Sequence, residues 1–244
     1  MITATINLIK IAFLLGFLII IHEGGHFLVA KLCKVKVNEF AIGFGPILLQ
    51  KQGKETRYVL RLIPLGGFVS MEGEEEHSDK EGSFSRASIP KRTAIVLAGG
   101  MVNILFGILT YFIIIASYTN IANAVEALKL FGMSMLDSLR MLFSGTAFKE
   151  EQLMGIVGIS EIVVETKGII NYIYLIAVIS VSLGVTNLLP IPPLDGGKIV
   201  LLIIEAIRKK PLRENLEIQI QMAGFVLMIV LTIFVTYKDI LRIT

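Results

Sequence analysis

Residues 11–32 read IAFLLGFLIIIHEGGHFLVAKL, and this stretch decides the kind of fold the chain can have. It is apolar for long enough to cross a hydrocarbon core of about 30 Å, which takes roughly 20 helical residues. A signal peptide is not expected, because no basic region precedes the apolar run and no small-residue cleavage site follows it. We therefore interpret residues 1–33 as a permanent membrane helix.

The rest of the composition also indicates a membrane protein. Of the 244 residues, 54% are hydrophobic and 18% are charged, and the mean hydropathy of +0.75 is too high for an ordinary soluble domain. The net charge is +3 without one continuous basic patch, so we expect no nucleic-acid binding. Three further membrane helices are predicted, at 93–118, at 168–207 with a break, and at 218–238. The predicted fold is an α-helical polytopic membrane protein with about four transmembrane helices, forming a single domain over 1–244.

Two of the segments that connect the predicted membrane helices have distinctive sequence patterns. Residues 36–70 mix β-branched and aromatic residues with Gly and Pro, and QKQGKE at 50–55 is typical of a hairpin turn, so we predict a small membrane-associated β-element. Apolar residues recur every three or four positions in 124–143, which predicts an amphipathic helix on the membrane surface. His77 lies in an acidic polar run, where we expect it to be solvated.

Lys and Arg are unevenly distributed over the connections. The 31–92 connection carries eleven and 208–213 carries four, whereas 119–167 has only four over 49 residues. The positive-inside rule then predicts that the first two stretches are cytoplasmic and that both termini and 119–167 are outside.

The first helix contains the pattern H-E-x-x-H as His22-Glu23-Gly24-Gly25-His26. Residues four apart share one helix face, so two imidazoles can bind one Zn²⁺, and the adjacent Glu23 can accept a proton from the attacking water. Polar groups in lipid are costly, so Glu23 in an apolar span is a candidate functional residue by itself. The alternative is a polar cluster that only holds neighbouring helices together.

Tetrahedral zinc needs a further protein ligand in addition to two His and a water. The candidate is Asp195, in the sequence NLLPIPPLDGG at 187–197. Its three prolines must break the helix, and irregular backbone at membrane depth is tolerated only where it is buried in protein or lines a wet cavity. The alternative for Asp195 is an ordinary N-cap of the helix that follows.

Together HEGGH, GFGP at 43–46, PLGGFV at 64–69 and NLLPIPPLDGG resemble the site-2 protease family of intramembrane zinc metalloproteases, in its bacterial regulated-proteolysis branch. The resemblance implies that His22, His26 and Asp195 bind Zn²⁺ and that Glu23 is the catalytic base. It also implies that Asn187 handles the substrate and that the β-element presents the substrate as an extended strand. The alternative for the β-element is a hairpin without a binding role.

The sequence departs from this branch in three places. Two are small: relatives often have Pro in place of Gly100 in AGGMVN at 98–103 and in place of Ile156 in GIVGI at 155–159. The third is larger. Members of this branch carry PDZ modules between the second and third spans, but the 119–167 connection is too short for a module of roughly 80–100 residues in addition to the amphipathic helix. We therefore expect the PDZ module to be absent. The sequence is compatible with a natural short form and with removal of the module near 119–123.

The predicted function is zinc-dependent endoproteolysis in or near the transmembrane segment of another membrane protein. His22 follows about 16 helical residues, roughly 24 Å, so the site is expected toward the cytoplasmic side of a bacterial inner membrane. The resemblance suggests substrates such as trimmed anti-sigma factors or remnant signal peptides. The alternative is a zinc-binding membrane transporter or a non-catalytic membrane scaffold.

Overall fold

The computed structural model describes residues 2–74, 76, 78–146 and 154–243. His77 lies outside the described residues, so its exposure stays a prediction. Four described helices are long and apolar enough to cross a membrane: Thr5–Leu32, Ile89–Tyr118, Ile169–Asn187 and Asn215–Arg242. The predicted polytopic helical fold is confirmed.

The described elements alternate long spans with short connecting pieces. The helices are α1 (Ile2–Leu32), α2 (Ile89–Tyr118), α3 (Ile121–Ser144), α4 (Ile156–Glu165), α5 (Ile169–Asn187), α6 (Asp195–Arg208) and α7 (Glu214–Ile243). The strands are β1 (Val37–Gln52) and β2 (Arg57–Met71). We did not predict α4, since its sequence IVGISEIVVE is rich in β-branched residues, which are weak helix formers.

Backbone contacts divide the chain into two compact units. One unit comprises Met1–Ile11, Leu105–Ser182 and Phe225–Thr244, and the second comprises Ala12–Ile104 and Leu183–Gly224. All the predicted metal-binding and catalytic residues belong to the second unit. Its apolar core joins residues of α1, both strands, α2 and α6, among them Ala30, Val37, Val69, Ile95 and Leu202.

The predicted β-element is an antiparallel sheet of β1 and β2. Gly43 and Gly45 have positive φ angles of 85° and 81°, a conformation that glycine adopts readily, and they bend β1 within GFGP. Because the strands bend, residues 39–42 have partners on two segments of β2, at 57–60 and at 67–70.

A charged cluster holds this sheet together. Glu39 is only 7% exposed and forms ion pairs with Arg57 and with Arg61, the latter at 2.9 Å. Burial acts to raise the pKa of Glu39, but the hydrogen bonds from the two guanidinium groups lower it below its ordinary value. Arg61 also donates to the carbonyl of Gly45 at 3.1 Å, which ties the bend to the opposite strand.

In the first unit, α3 covers the segment predicted to be amphipathic. The ring of Phe131, from the predicted apolar face, stacks on Tyr111 of α2 with 4.9 Å between ring centroids. Part of that face therefore packs against protein, while Ile121, Met133 and Leu136 of the same helix are exposed. Contact of α3 with the membrane surface stays a prediction.

Candidate active site

The three predicted metal ligands meet in the second unit. Nε2 of His22 and Nε2 of His26 are 3.3 Å apart, and each lies 3.2 Å from Oδ2 of Asp195. Ligand atoms placed tetrahedrally at about 2.0–2.1 Å from zinc are about 3.3 Å from one another, because a tetrahedron's edge is about 1.63 times its centre-to-corner length. The triangle therefore fits one zinc ion with a fourth position left for water or substrate.

The surroundings of Asp195 agree with a metal ligand better than with a helix cap. Its Oδ2 is buried without a hydrogen-bond partner among the described residues. The N-cap position of α6 belongs to Leu194, and Asp195 is the first helical residue. The position of the helix boundary therefore does not support the alternative that Asp195 is an ordinary N-cap.

The Gly-Gly pair after Asp195 has a steric reason. The break after Asn187 folds back over the first turn of α6, so a Cβ atom on Gly196 would lie 2.2 Å from the carbonyl oxygen of Leu189. A Cβ atom on Gly197 would lie 2.8 Å from the nitrogen of Pro192. Both distances are too short for a side chain, so the two glycines permit the packing that places Asp195. Asn187 is half-buried at the end of α5, where the break begins.

Helix α2 contributes to the site in a way that sequence reasoning missed. The Nδ1 atom of His26 lies 2.8 Å from the carbonyl oxygen of Ile95, which can accept its proton and leave Nε2 free for a metal. A Cβ atom on Gly99 would lie 2.3 Å from His26 Nε2 and 2.9 Å from His22 Cε1. Gly25 lets α2 approach this closely, since a Cβ there would lie 2.6 Å from the oxygen of Ala98. The only sequence signal was the run of small residues at 98–100.

Glu23 follows His22 on α1 and lies beside the sheet. A Cβ atom on Gly67 of β2 would be 3.1 Å from Cγ of Glu23, so this glycine lets the strand run directly past the carboxylate side chain. The candidate base is therefore next to the 67–70 segment as well as to the ligand triangle.

Lys198 is a second residue that the sequence did not reveal. It lies one helical turn after Asp195, and its Nζ donates to Oε1 of Glu74 at 2.8 Å. This ion pair holds the ammonium group of Lys198 one helical turn from Asp195.

Comparison with known proteins shows which family this chain resembles. The model of peptidase family M50 matches residues 10–231. A protein named "Putative zinc metalloprotease" from Clostridium acetobutylicum is 30% identical over 96% of this chain and 97% of its own length. A protein of the same description from Fusobacterium nucleatum is 25% identical over 94% and 97% of the two chains. Protease RseP of Yersinia pestis is 43% identical over 41% of this chain and 23% of its own length.

The first of these matches extends over 330 positions, more than the 244 residues of this chain, so that relative carries additional residues inside the matched region. The predicted family and cofactor are confirmed, and the alternatives of a transporter and of a non-catalytic scaffold are set aside. The chain belongs to peptidase family M50, the site-2 protease family, and the protein is a membrane-embedded zinc metalloprotease.

Proposed function

We propose that the protein hydrolyses a peptide bond within or near the transmembrane segment of another membrane protein. In this proposal His22, His26 and Asp195 bind the zinc ion and Glu23 is the general base. The observation that carries it is the triangle of ligand atoms, 3.2–3.3 Å on each side, next to Glu23 on a helix able to span the membrane.

Each residue has a distinct task in the reaction. When bound, zinc polarises the scissile carbonyl and lowers the pKa of the attacking water. Glu23 accepts the proton of that water and passes it to the leaving amine. The carbonyl of Ile95 keeps His26 oriented. Asn187, at the start of the break, holds the substrate strand.

The 67–70 segment is suited to present the substrate. Its register partners lie on β1, at 39–42, and among the described residues no other strand pairs with it. An extended peptide can add to such an edge through main-chain hydrogen bonds. Because Gly67 adjoins Glu23, a peptide paired here would run past the base.

The same proposal includes the location. The basic 31–92 and 208–213 segments face the cytoplasm of a bacterial cell, so the site opens toward the cytoplasmic side of the inner membrane and both termini are outside. Substrates are membrane proteins such as a trimmed anti-sigma factor or a remnant signal peptide.

The test is a Glu23→Gln variant assayed on a model transmembrane substrate. We expect it to retain one zinc per chain and to lose about 10²–10⁴-fold in cleavage rate, since that is the usual contribution of a general base. Glu126→Gln, an exposed acid on α3, is the control and should cleave normally. Undiminished cleavage by Glu23→Gln would refute the proposal.

A further inference from the structure

Helices α2 and α6 are joined by an ion pair that the proposed mechanism does not use. The guanidinium group of Arg92 donates two hydrogen bonds to the carboxylate of Glu205, from Nη1 to Oε2 at 3.0 Å and from Nη2 to Oε1. The two side chains are only 12% and 16% exposed. Parallel hydrogen bonds of this kind fix the orientation of both groups as well as their distance. The pair is therefore a directional link between two helices.

Arg92 lies in the first turns of α2, close to the part of this helix that adjoins the two imidazoles. One turn later, the carbonyl oxygen of Ile95 lies 2.8 Å from Nδ1 of His26. Two turns later, Gly99 is so close to the imidazoles that a Cβ atom there would lie 2.3 Å from His26 Nε2. A single continuous helix thus connects the ion pair with the groups next to the histidines.

Glu205 lies on the helix that carries the third predicted ligand. Asp195 is the first residue of α6, and Glu205 follows ten residues later, about 15 Å along the helix axis. Between them, Leu202 belongs to the same buried apolar cluster as Ile95 and Val96 of α2. The packing of α6 against α2 thus continues from the ion pair toward the site.

The two helices run in opposite directions and are fixed near both ends of their contact. At one end Arg92 bonds Glu205, and at the other Gly99 adjoins the ligand triangle that contains Asp195. Apolar packing between these ends is non-directional, so by itself it tolerates small shifts of one helix along the other. The ion pair does not, because its hydrogen bonds require one register.

We propose that the ion pair of Arg92 and Glu205 sets the position of α6 along α2 and thereby places the carboxylate of Asp195 against the two imidazoles. A shift of α6 by one residue would move Asp195 by about 1.5 Å. The triangle of ligand atoms, with sides of 3.2–3.3 Å, does not tolerate this shift, since zinc–ligand distances vary by only about 0.2 Å. Arg92 and Glu205 are thus positioning residues, and this inference rests on the ligand set of the proposed function.

The experiment separates positioning from stability. Replacement of a buried ion pair by apolar side chains of similar volume is often neutral or stabilising, whereas removal of one partner leaves an unpaired charge. Arg92→Met with Glu205→Leu therefore keeps the helices packed and removes the directional link. We expect the zinc-free double variant to unfold at the wild-type temperature and to bind zinc about 10–100-fold more weakly, the usual effect of losing groups that orient metal ligands. Competition with a chromogenic chelator measures the affinity.

A conservative variant and a spectrum add readouts that a change in stability would not move. Arg92→Lys keeps the charge but replaces the two-pronged guanidinium group by a compact ammonium group, so we expect a zinc affinity between those of the wild type and the double variant. The visible absorption of cobalt-substituted protein reports the coordination geometry, and it should change in the double variant.

The control removes an ion pair that lies away from the ligand triangle. Arg242 of α7 pairs with Glu161 of α4 at 3.5 Å in the first unit. Arg242→Met with Glu161→Leu should keep the wild-type zinc affinity and cobalt spectrum. An equal loss of affinity in this control would overturn the inference, because the effect would not then be specific to α2 and α6.

The remaining outcomes separate the inference from the proposed function. Wild-type zinc affinity and cobalt spectrum in Arg92→Met with Glu205→Leu would overturn the inference alone. If that variant failed to fold, Arg92→Lys would decide, and wild-type affinity there would overturn it too. His26→Ala and Asp195→Asn test the ligand set: zinc retained in both would remove the ligand set and the inference with it.

Discussion

Gly99 is under a severe steric constraint because it contacts the imidazoles of the ligand triangle. It occupies the position on α2 where a methyl group would lie 2.3 Å from His26 Nε2, the atom that must face the metal. No real Cβ contact is that short, so any side chain here must displace the imidazole or separate the two helices.

We therefore expect Gly99→Ala to lower zinc affinity by about 10–100-fold or more, the usual effect of disturbing groups that orient metal ligands. Competition with a chromogenic chelator measures the affinity. Gly132→Ala is the control, since a Cβ there meets nothing within 4 Å. Wild-type affinity in Gly99→Ala would show that the imidazoles are not where the structure has them.

At the same scale, the sequence predicted part of the site. The spacing of His22 and His26 is a local pattern on one helix, and the prolines before Asp195 singled out that aspartate in an apolar stretch. Ile95 and Gly99 could not be predicted, because their roles depend on where α2 packs, about 70 residues after His26. A backbone carbonyl and a missing side chain leave no chemical signature in a sequence.

Among the elements, the bent sheet differs most from expectation. Its existence was predicted from β-branched residues and a hairpin turn, and Gly53 and Thr56 close that turn at 2.9 Å. The pairing of the strands could not be predicted, because it depends on the bends at Gly43 and Gly45, which place Val59 between two segments of β1. Val59 is 3% exposed and has partners at Ala41 and Gln50, so it lies in the interior of the sheet, and the outer segments are 67–71 and 47–52.

If the substrate adds as a strand to the 67–70 edge, its successive backbone amides must alternate between bonding this edge and pointing away from it. In a strand pair, successive N–H groups point to opposite sides, so only every second one bonds the edge. We expect N-methylation of single substrate amides near the scissile bond to reduce cleavage with a period of two residues, by about tenfold at the sensitive positions. Mass spectrometry of the products measures this, with the unmethylated peptide as control. Equal sensitivity at all positions would exclude strand addition.

At the scale of the whole molecule, the membrane-spanning helices could be predicted from the sequence, whereas the features that depend on tertiary packing could not. A helix in a bilayer needs about 20 apolar residues, and this rule found all four candidate spans. A cavity of about 980 Å³ next to the sheet edge draws its walls from segments between Phe68 and Gln221. It exists only when those segments come together, so composition and local pattern did not reveal it.

The central claim is that two residues of α1 and one of α6 bind the same zinc ion. Zinc X-ray absorption of the purified protein, together with metal content, tests it most directly. We predict one zinc per chain with only nitrogen and oxygen ligands at about 2.0–2.1 Å, and loss of zinc in Asp195→Asn and in His26→Ala. One zinc per chain with an unchanged ligand shell in both variants would contradict the claim.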